Sequence, residues 1–332
     1  MGVCFLRPTL RQIMSTSLPQ VDAVWTTSAS GAIPTAGHGH VSAGNNASAG
    51  DTAAAGQTAS AAGRIAAARS TGATGSTGND WWAGTRNVEL WWTLAWYDVV
   101  LRYRRSTLGP LWLTISTGAL LVGMGPLYSG LFKVPINKFF PHLTLGIIFW
   151  GFFTSTINDG CVVFINGAQY LKQPGFAPSV LVWRSLARNC LQLAHTIVLY
   201  LPVAIWANIP LTPRLLLFVP GFAIVLVNLH ALTIILGVLC ARFRDVVQIV
   251  ASMLQLLMFL TPVFWFPSSL SGRSHAILYN PLAQLLDVIR LPLMGDTPAP
   301  GTLRFLVLFT TLNIALAAVV YRLYRRHLAY WV

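Results

Sequence analysis

Residues 101–112 read LRYRRSTLGPLW, and the order of their side chains decides the fold. Arg102, Arg104 and Arg105 stand immediately before Gly109, Pro110 and an apolar run that continues to residue 132. Arginine heads at the phosphate plane followed by roughly 20 apolar residues are what a helix needs to start on the cytoplasmic side of a bilayer and cross it. The segment before the cluster therefore belongs on the cytoplasmic surface, and the apolar run after it belongs in the membrane.

Working outward, the lead-in over residues 85–105 reads as an amphipathic helix. At about 100° per residue, Leu90, Leu94, Tyr97 and Leu101 fall on one stripe, and Trp92, Trp96, Val99 and Tyr103 on a second. Asp98, Arg102 and Arg105 form a polar strip between them. Two apolar faces parted by charge suit the membrane interface, where one face meets lipid and the other meets protein.

The whole chain has the same bias. Of 332 residues, 55% are hydrophobic and only 9% charged, and the mean hydropathy is +0.61. So much apolar surface requires lipid, and the expected architecture is an all-α polytopic membrane protein with six transmembrane helices. The expected spans are 108–132, 143–165, 181–206, 215–240, 246–266 and 302–320, within one six-span domain over 106–332. The net charge of +13 sits beside these runs as arginines on one side, so it reports membrane orientation and no nucleic acid is expected. Both termini then face the cytoplasm. Residues 1–80 are rich in Ala, Gly, Ser and Thr with few large apolar side chains, the composition of a disordered cytoplasmic tail. The first twenty residues lack a continuous apolar stretch of the signal-peptide kind.

Details within the spans carry further expectations. Asp159, ~25 Å into the second span at ~1.5 Å per residue, sits near the cytoplasmic boundary, positioned to pair with an arginine of the lead-in. The inner loop 166–179, NGAQYLKQPGFAPS, holds Tyr170, Leu171 and Phe176 on a Pro/Gly-stiffened turn. It suits either an apolar knob for a partner or a tight connection. Arg184 and Arg188 open the third span, where they can snorkel to the interface or meet phosphate. Arg242, Phe243, Arg244 and Asp245 form a sharp inner turn before the fifth span, in whose outer third Thr261 and Pro262 place a kink. Outside, Asn280 is placed to cap a helix beginning at Pro281, with Leu282, Leu285, Leu286 and Ile289 on one stripe. Such a helix is too short to span and is expected to dip into the outer leaflet.

The chemistry of catalysis is missing. There is no GxxxxGK[ST] loop, GxSxG elbow, HExxH or strand-linked GxGxxG, and no metal or cofactor site. If the protein moves something uphill, the fuel is expected to be burned on another chain or drawn from an ion gradient. His195 and His230 differ in depth by more than ~10 Å and are expected to be separate, hydrogen-bonded interior histidines. Phe149, Trp150, Phe152, Phe153, Phe259 and Trp265 cluster in the outer halves of two spans. They suit stacking on a sliding glycan or an ordinary aromatic belt.

The ordered set LRYRRSTLGPLW, GIIFWGFFTSTINDG, NGAQYLKQPGFAPSVL, RFRDV, FLTPVFW and YNPLAQLLDVIR resembles the membrane subunit of type 2 ABC transporters, in particular the permeases that export O-antigen, capsular polysaccharide and teichoic acid. The resemblance implies a homodimer in the bacterial inner membrane, partnered by a separate nucleotide-binding ATPase that holds ATP and Mg, with a lipid-linked glycan as substrate. It implies that the lead-in is an interface helix. Tyr170, Leu171, Lys172, Gln173 and Phe176 become the loop seated in the ATPase, with Arg242, Phe243, Arg244 and Asp245 as a second contact. The helix from Asn280 and Pro281 through Leu285 and Ile289 becomes a periplasmic gate element, and the six clustered aromatics become channel walls. By charge and depth, Arg102, Arg104, Arg105, Arg184 and Arg188 would receive a lipid pyrophosphate. Where relatives carry a second basic residue in the inner loop, this chain has Lys172 followed by Gln173 and Pro174, which shifts the expected contact toward shape. Rival readings are an exporter of a drug or simple lipid, a multi-span enzyme acting on polyprenyl-linked sugars, and a gradient-driven carrier. The enzyme lacks a suitable acidic cluster, and the carrier lacks internal repeats.

Overall fold

The computed structural model describes residues 79–103, 111–173, 175–210, 212–266 and 279–332. The expected tail up to residue 78, Arg104, Arg105, Gly109, Pro110, Pro174 and residues 267–278 lie outside them. Among the described residues every regular element is helical. Helix α2 (Val88–Tyr103) forms the lead-in; α1 (Asn79–Arg86) precedes it across a break at Asn87, so residues 79 and 80, expected in the tail, are helical and the lead-in expected over 85–105 is not one continuous helix. Next come α3 (Leu111–Phe132), α4 (Ile136–Cys161) and two short turns of helix, α5 (Val163–Asn166) and α6 (Ala168–Leu171). The third expected span is built from α7 (Ser179–Thr196), a 3-10 turn and α8 (Tyr200–Trp206). The chain continues through α9 (Phe218–Arg242), α10 (Val246–Leu260), α11 (Pro281–Leu293) and α12 (Pro300–Trp331).

Among the described residues, five segments are long and apolar enough to cross a bilayer: Leu111–Phe132, Ile136–Cys161, Ser179–Trp206, Pro213–Arg242 and Pro300–Trp331. The protein is thus an all-α, multi-pass membrane protein. The fifth of the six expected spans differs. Its helix α10 stops at Leu260 after 15 residues, ~22 Å against a hydrocarbon core of ~30 Å. Thr261 is extended (φ −92°, ψ 139°) because it precedes Pro262, and the proline ring excludes the helical conformation there. The expected kink is therefore a helix end. The expected sixth span lies within α12, which runs 32 residues, ~48 Å, so Arg322, Arg325 and Arg326 ride on the continuation of the same helix.

Packing centres on α9, which lies between α12 and α4. At the α4–α9 crossing a Cβ on Gly160 would stand 2.9 Å from the Thr233 hydroxyl, so only glycine permits this approach. On the other side, Asn313 donates to the Asn228 carbonyl (3.0 Å) and side-chain oxygen (3.1 Å), and Asn228 donates to Thr310 (2.7 Å). Such amides hold neighbouring helices together in a medium that offers no water to compete. In contrast α3 is little buried, and with α10 it presents an apolar surface to its surroundings.

Helix α11 is capped as its sequence requires: Asn280 Oδ1 accepts from the Leu282 and Ala283 amides at 3.1 and 3.4 Å. Its stripe, however, faces protein rather than lipid. Leu285, Leu286 and Ile289 are buried, and α11 packs against α9, α12 and α4. A Cβ on Gly221 of α9 would lie 2.6 Å from the Val288 carbonyl oxygen, so the two backbones nearly touch.

Candidate functional site

The inner loop between α4 and α7 is a rigid projection. Tyr170 stacks on Phe176 with ring centroids 5.6 Å apart, and Gly175 supplies the left-handed residue (φ +78°) that closes the turn between them. Leu171 is buried in a core cluster with Val163, Phe164, Val182 and Val238. The exposed tip consists of Lys172, Gln173 and Gly175. The apolar knob expected from sequence is accordingly a polar tip on a half-buried aromatic base. The apolar side chains turned inward because α6 lies over the core formed by α7 and α9.

The turn between α9 and α10 shares this base. Arg242, Phe243, Arg244 and Asp245 are all exposed, and the Arg242 guanidinium lies 5.5 Å from the Trp331 ring centroid at the end of α12. Ala241, Leu171 and Leu328 belong to one apolar cluster, on which Tyr170, Phe176 and Trp331 pack. The two predicted contacts are thereby one continuous surface.

Behind the loop stands a charged anchor. Arg184 donates from Nε and Nη2 to the two carboxylate oxygens of Asp98, at 2.7 and 2.6 Å, a bidentate pair. Arg188 donates to Asp98 at 3.3 Å and to Asp159 at 2.8 Å, and Asn189 donates to Asp159 at 2.9 Å. Two carboxylates face two guanidiniums, so the group is neutral, and it joins α2, α7 and α4. The Arg184 guanidinium also lies 5.3 Å from the Tyr170 ring centroid, which ties the loop to the anchor. Two expectations change here. Asp159 pairs with Arg188 of α7 rather than with an arginine of the lead-in, and the polar strip of α2 turns Asp98 toward protein. The arginines of α7 need counter-ions where water is scarce, and Asp98 and Asp159 are the carboxylates within reach. Trp91 reinforces the docking of α2 by stacking on Trp183 at 5.7 Å. Outside, Trp92, Trp96, Tyr97 and Leu101 are exposed, in keeping with a headgroup-level helix.

Of the five arginines assigned to phosphate, Arg184 and Arg188 carry matched partners, Arg104 and Arg105 lie outside the described residues, and Arg102 is exposed. Arg102 and Arg188 meet at a cavity of about 230 Å³ between α2, α3 and α7, which Trp96, Tyr103 and His195 also line. The aromatic assignments divide similarly. Phe149, Trp150, Phe152 and Phe153 are buried in the protomer core, where Phe149 and Phe152 pack against Phe218 and Phe222. Side chains consumed by core packing cannot wall an open path along this chain. Phe259 remains 67% exposed on α10, and Trp265 donates to its carbonyl at 3.2 Å.

The outer end holds a group not anticipated from sequence. Arg290 of α11, 2% exposed, donates to the Pro262 carbonyl (2.7 Å), to Asp287 (2.5 Å) and to His142 Nε2 (3.1 Å). Since a guanidinium only donates, His142 Nε2 must be the unprotonated acceptor, and that ring stacks on Phe266 at 4.0 Å. Burial pulls the Arg290 pKa down and Asp287 opposes it. Asn280 donates to Thr261 at 3.0 Å, so α11 is fastened to the broken end of α10 by both ends of its stripe. A lone arginine within an otherwise apolar face, as in residues 282–290, was the available signal. The interior histidines also depart from expectation: among the described residues neither ring nitrogen of His230 nor Nε2 of His195 has a hydrogen-bond partner. His230 is held instead by aromatic contact, 4.2 Å from Trp183 and 5.2 Å from Trp81.

The same segments are shared with known proteins. Residues 89–294 match the family described as ABC-2 type transporter. The chain is similar to the O-antigen export system permease protein RfbA of Myxococcus xanthus, 28% identical over 196 residues that cover 57% of this chain and 74% of that protein. It is also similar to the protein of that name from Klebsiella pneumoniae, 27% identical over 195 residues with the same shares. Because the family match takes in all of α2 but its first residue, the loop with its anchor and the capped helix α11, and spans more than half of the sequence, this chain belongs to the ABC-2 type transporter family.

Proposed function

We propose that this chain is the membrane subunit of an exporter of lipid-linked polysaccharide of the O-antigen type. It works as a homodimer in a bacterial inner membrane, with both termini in the cytoplasm. Membership of the family implies an ABC ATPase as partner, and ATP and Mg belong to that subunit. The names of the relatives support the choice of substrate. Arg242, Arg244, Arg322, Arg325 and Arg326 share one end of the helices, which supports the orientation. The exposed apolar faces of α3 (Val122, Leu127) and α10 (Met253, Leu256, Phe259) support a second copy packed there, with Phe259 beside the path between subunits. Arg102 at the 230 Å³ cavity, with Arg104 and Arg105 next in sequence, is the cationic receptor for the lipid pyrophosphate.

The observation that carries the reading is the connection from loop to spans. Force on Lys172 and Gln173 passes through the Tyr170–Phe176 stack to Arg184, then through Asp98 to α2 and through Arg188 and Asp159 to α4. Closure of the ATPase dimer on ATP thus shifts three elements as a unit, and the spans part to pass the glycan. The gate helix α11, gripped through Arg290, holds the outer end until then.

The test is co-reconstitution with the ATPase in vesicles supplied with lipid-linked glycan. Phe176→Ala is expected to leave ATP hydrolysis largely intact while lowering export by about tenfold. Export or modification of the glycan by the isolated chain without ATPase would overturn the proposal.

A further inference from the structure

A cavity of about 650 Å³ lies between α1, α7, α9 and α12; it shares no residue with the Arg102 cavity, and Ala231, Ile234, Ala317 and Tyr321 of its wall belong to the apolar cluster beneath the loop. Its size falls within the ~300–1,000 Å³ of small-molecule sites. Its aliphatic wall is made of small side chains: Ala223 and Val227 on α9 lie outward of His230, whereas on α12 Ile314 stands level with His230, next to the Asn228–Asn313 pair, and Ala318 lies between it and Arg322. All four are exposed, with Val227 at 42% and Ile314 at 47%, and all sit within membrane-spanning helices. The cleft therefore opens to hydrocarbon, and the medium available to fill it is lipid.

Its other end is different. Both α9 and α12 run toward the cytoplasmic side, and there the wall becomes Trp81, Trp183, His230 and Arg322. His230 is 7% exposed, and its two ring nitrogens meet no protein partner although they lie in an apolar, aromatic-walled space. Arg322 is exposed and makes no ion pair among the described residues. From the interface inward the cleft thus offers a cation, one imidazole able to donate, and an aliphatic slot.

We infer that this cleft binds an anionic glycerophospholipid of the inner leaflet as a resident lipid, its phosphate on Arg322, an ester carbonyl on His230 and one acyl chain along α9 and α12. The order of groups matches the order of the walls. The carbonyl decides between lipid classes, because a polyprenyl phosphate has no acceptor at that level for His230 to serve. Ala223, Ala317 and Ala318 keep the slot open: larger side chains there would fill it. The site stands apart from the substrate route at the Arg102 cavity.

The experiment is native mass spectrometry of the delipidated permease–ATPase complex titrated with phosphatidylglycerol or phosphatidylcholine. One tightly held phosphatidylglycerol per permease chain is expected. Arg322→Gln should lower the preference for phosphatidylglycerol over phosphatidylcholine about fivefold, the equivalent of ~1 kcal/mol per basic residue at a membrane surface. His230→Phe, which keeps the ring contacts, should weaken both lipids to the same extent. Ala318→Trp should abolish the tight adduct, with Ala223→Phe as a second filling variant and thermal melting to show that each is folded. Unchanged adducts in both folded filling variants would overturn the proposal. So would displacement of the lipid by undecaprenyl phosphate, or loss of the second permease copy on filling the slot, which would make the cleft a substrate site or a subunit contact.

Discussion

Asp98→Asn tests the anchor most directly. The carboxylate accepts at 2.7 and 2.6 Å from Arg184 and at 3.3 Å from Arg188, and the three side chains are only 18–21% exposed. Asparagine keeps the shape but turns an N–H₂ group toward a guanidinium, so donor meets donor and the charge is lost. Arg188 retains Asp159 at 2.8 Å, whereas Arg184 loses its carboxylate altogether. Stranding one member of a buried pair costs ~3–5 kcal/mol, and an exposed pair contributes ~0–1 kcal/mol. At one-fifth exposure the expected loss is about 2–3 kcal/mol. For a domain of this size that corresponds to a fall in Tm of roughly 4–10 °C. The assay is thermal unfolding of the purified complex for Asp98→Asn, Arg184→Gln and the double variant, which isolates the pairwise energy. A coupling of about 2 kcal/mol is expected. Coupling below ~0.5 kcal/mol, with Tm shifted by less than ~1 °C, would mean that solvent screens the pair and that no force passes through it.

The packing sets three further outcomes. Gly221→Ala places a methyl group against the Val288 carbonyl and should destabilise by about 1–3 kcal/mol, whereas Gly151→Ala, with open space around it, should be neutral or slightly stabilising in the same melting assay. Asn280→Ala removes both the cap and the bond to Thr261 and should cost about 1–2 kcal/mol, while Asn280→Ser, which restores a cap acceptor, should recover most of it; equal losses would assign the effect to something other than capping. Arg290→Met strands Asp287 and frees Pro262, so hydrogen exchange should rise across residues 281–293; exchange as slow as in the unmodified protein would show that Arg290 does not hold α11.

Much of the interior was decided by relations that no single stretch displays. Phe149 and Phe152 have the spacing of a membrane aromatic cluster, yet α9 brings Phe218 and Phe222 against them and makes them core. Leu171 looks like an exposed docking residue until α6 folds onto α7 and α9. Arg184 and Arg188 read as free cations because their counter-ions lie far away in sequence, 86 residues for Asp98 and Arg184 and 29 for Asp159 and Arg188. Arg290 and His142 are 148 residues apart, beyond any local pattern.

The sequence by itself determined that the chain lies in a membrane, because crossing one requires long apolar runs and such runs are local. It also determined local features whose cause is covalent or nearest-neighbour: the cap at Asn280 and a bend at Thr261 and Pro262, which in the structure is a helix end. Only the tertiary structure decided which apolar side chains face protein and which face lipid, since hydrocarbon outside is as apolar as the core and leaves no contrast to read. It likewise decided which charges are spent on one another, because that depends on distance in space between helices that the chain order does not specify.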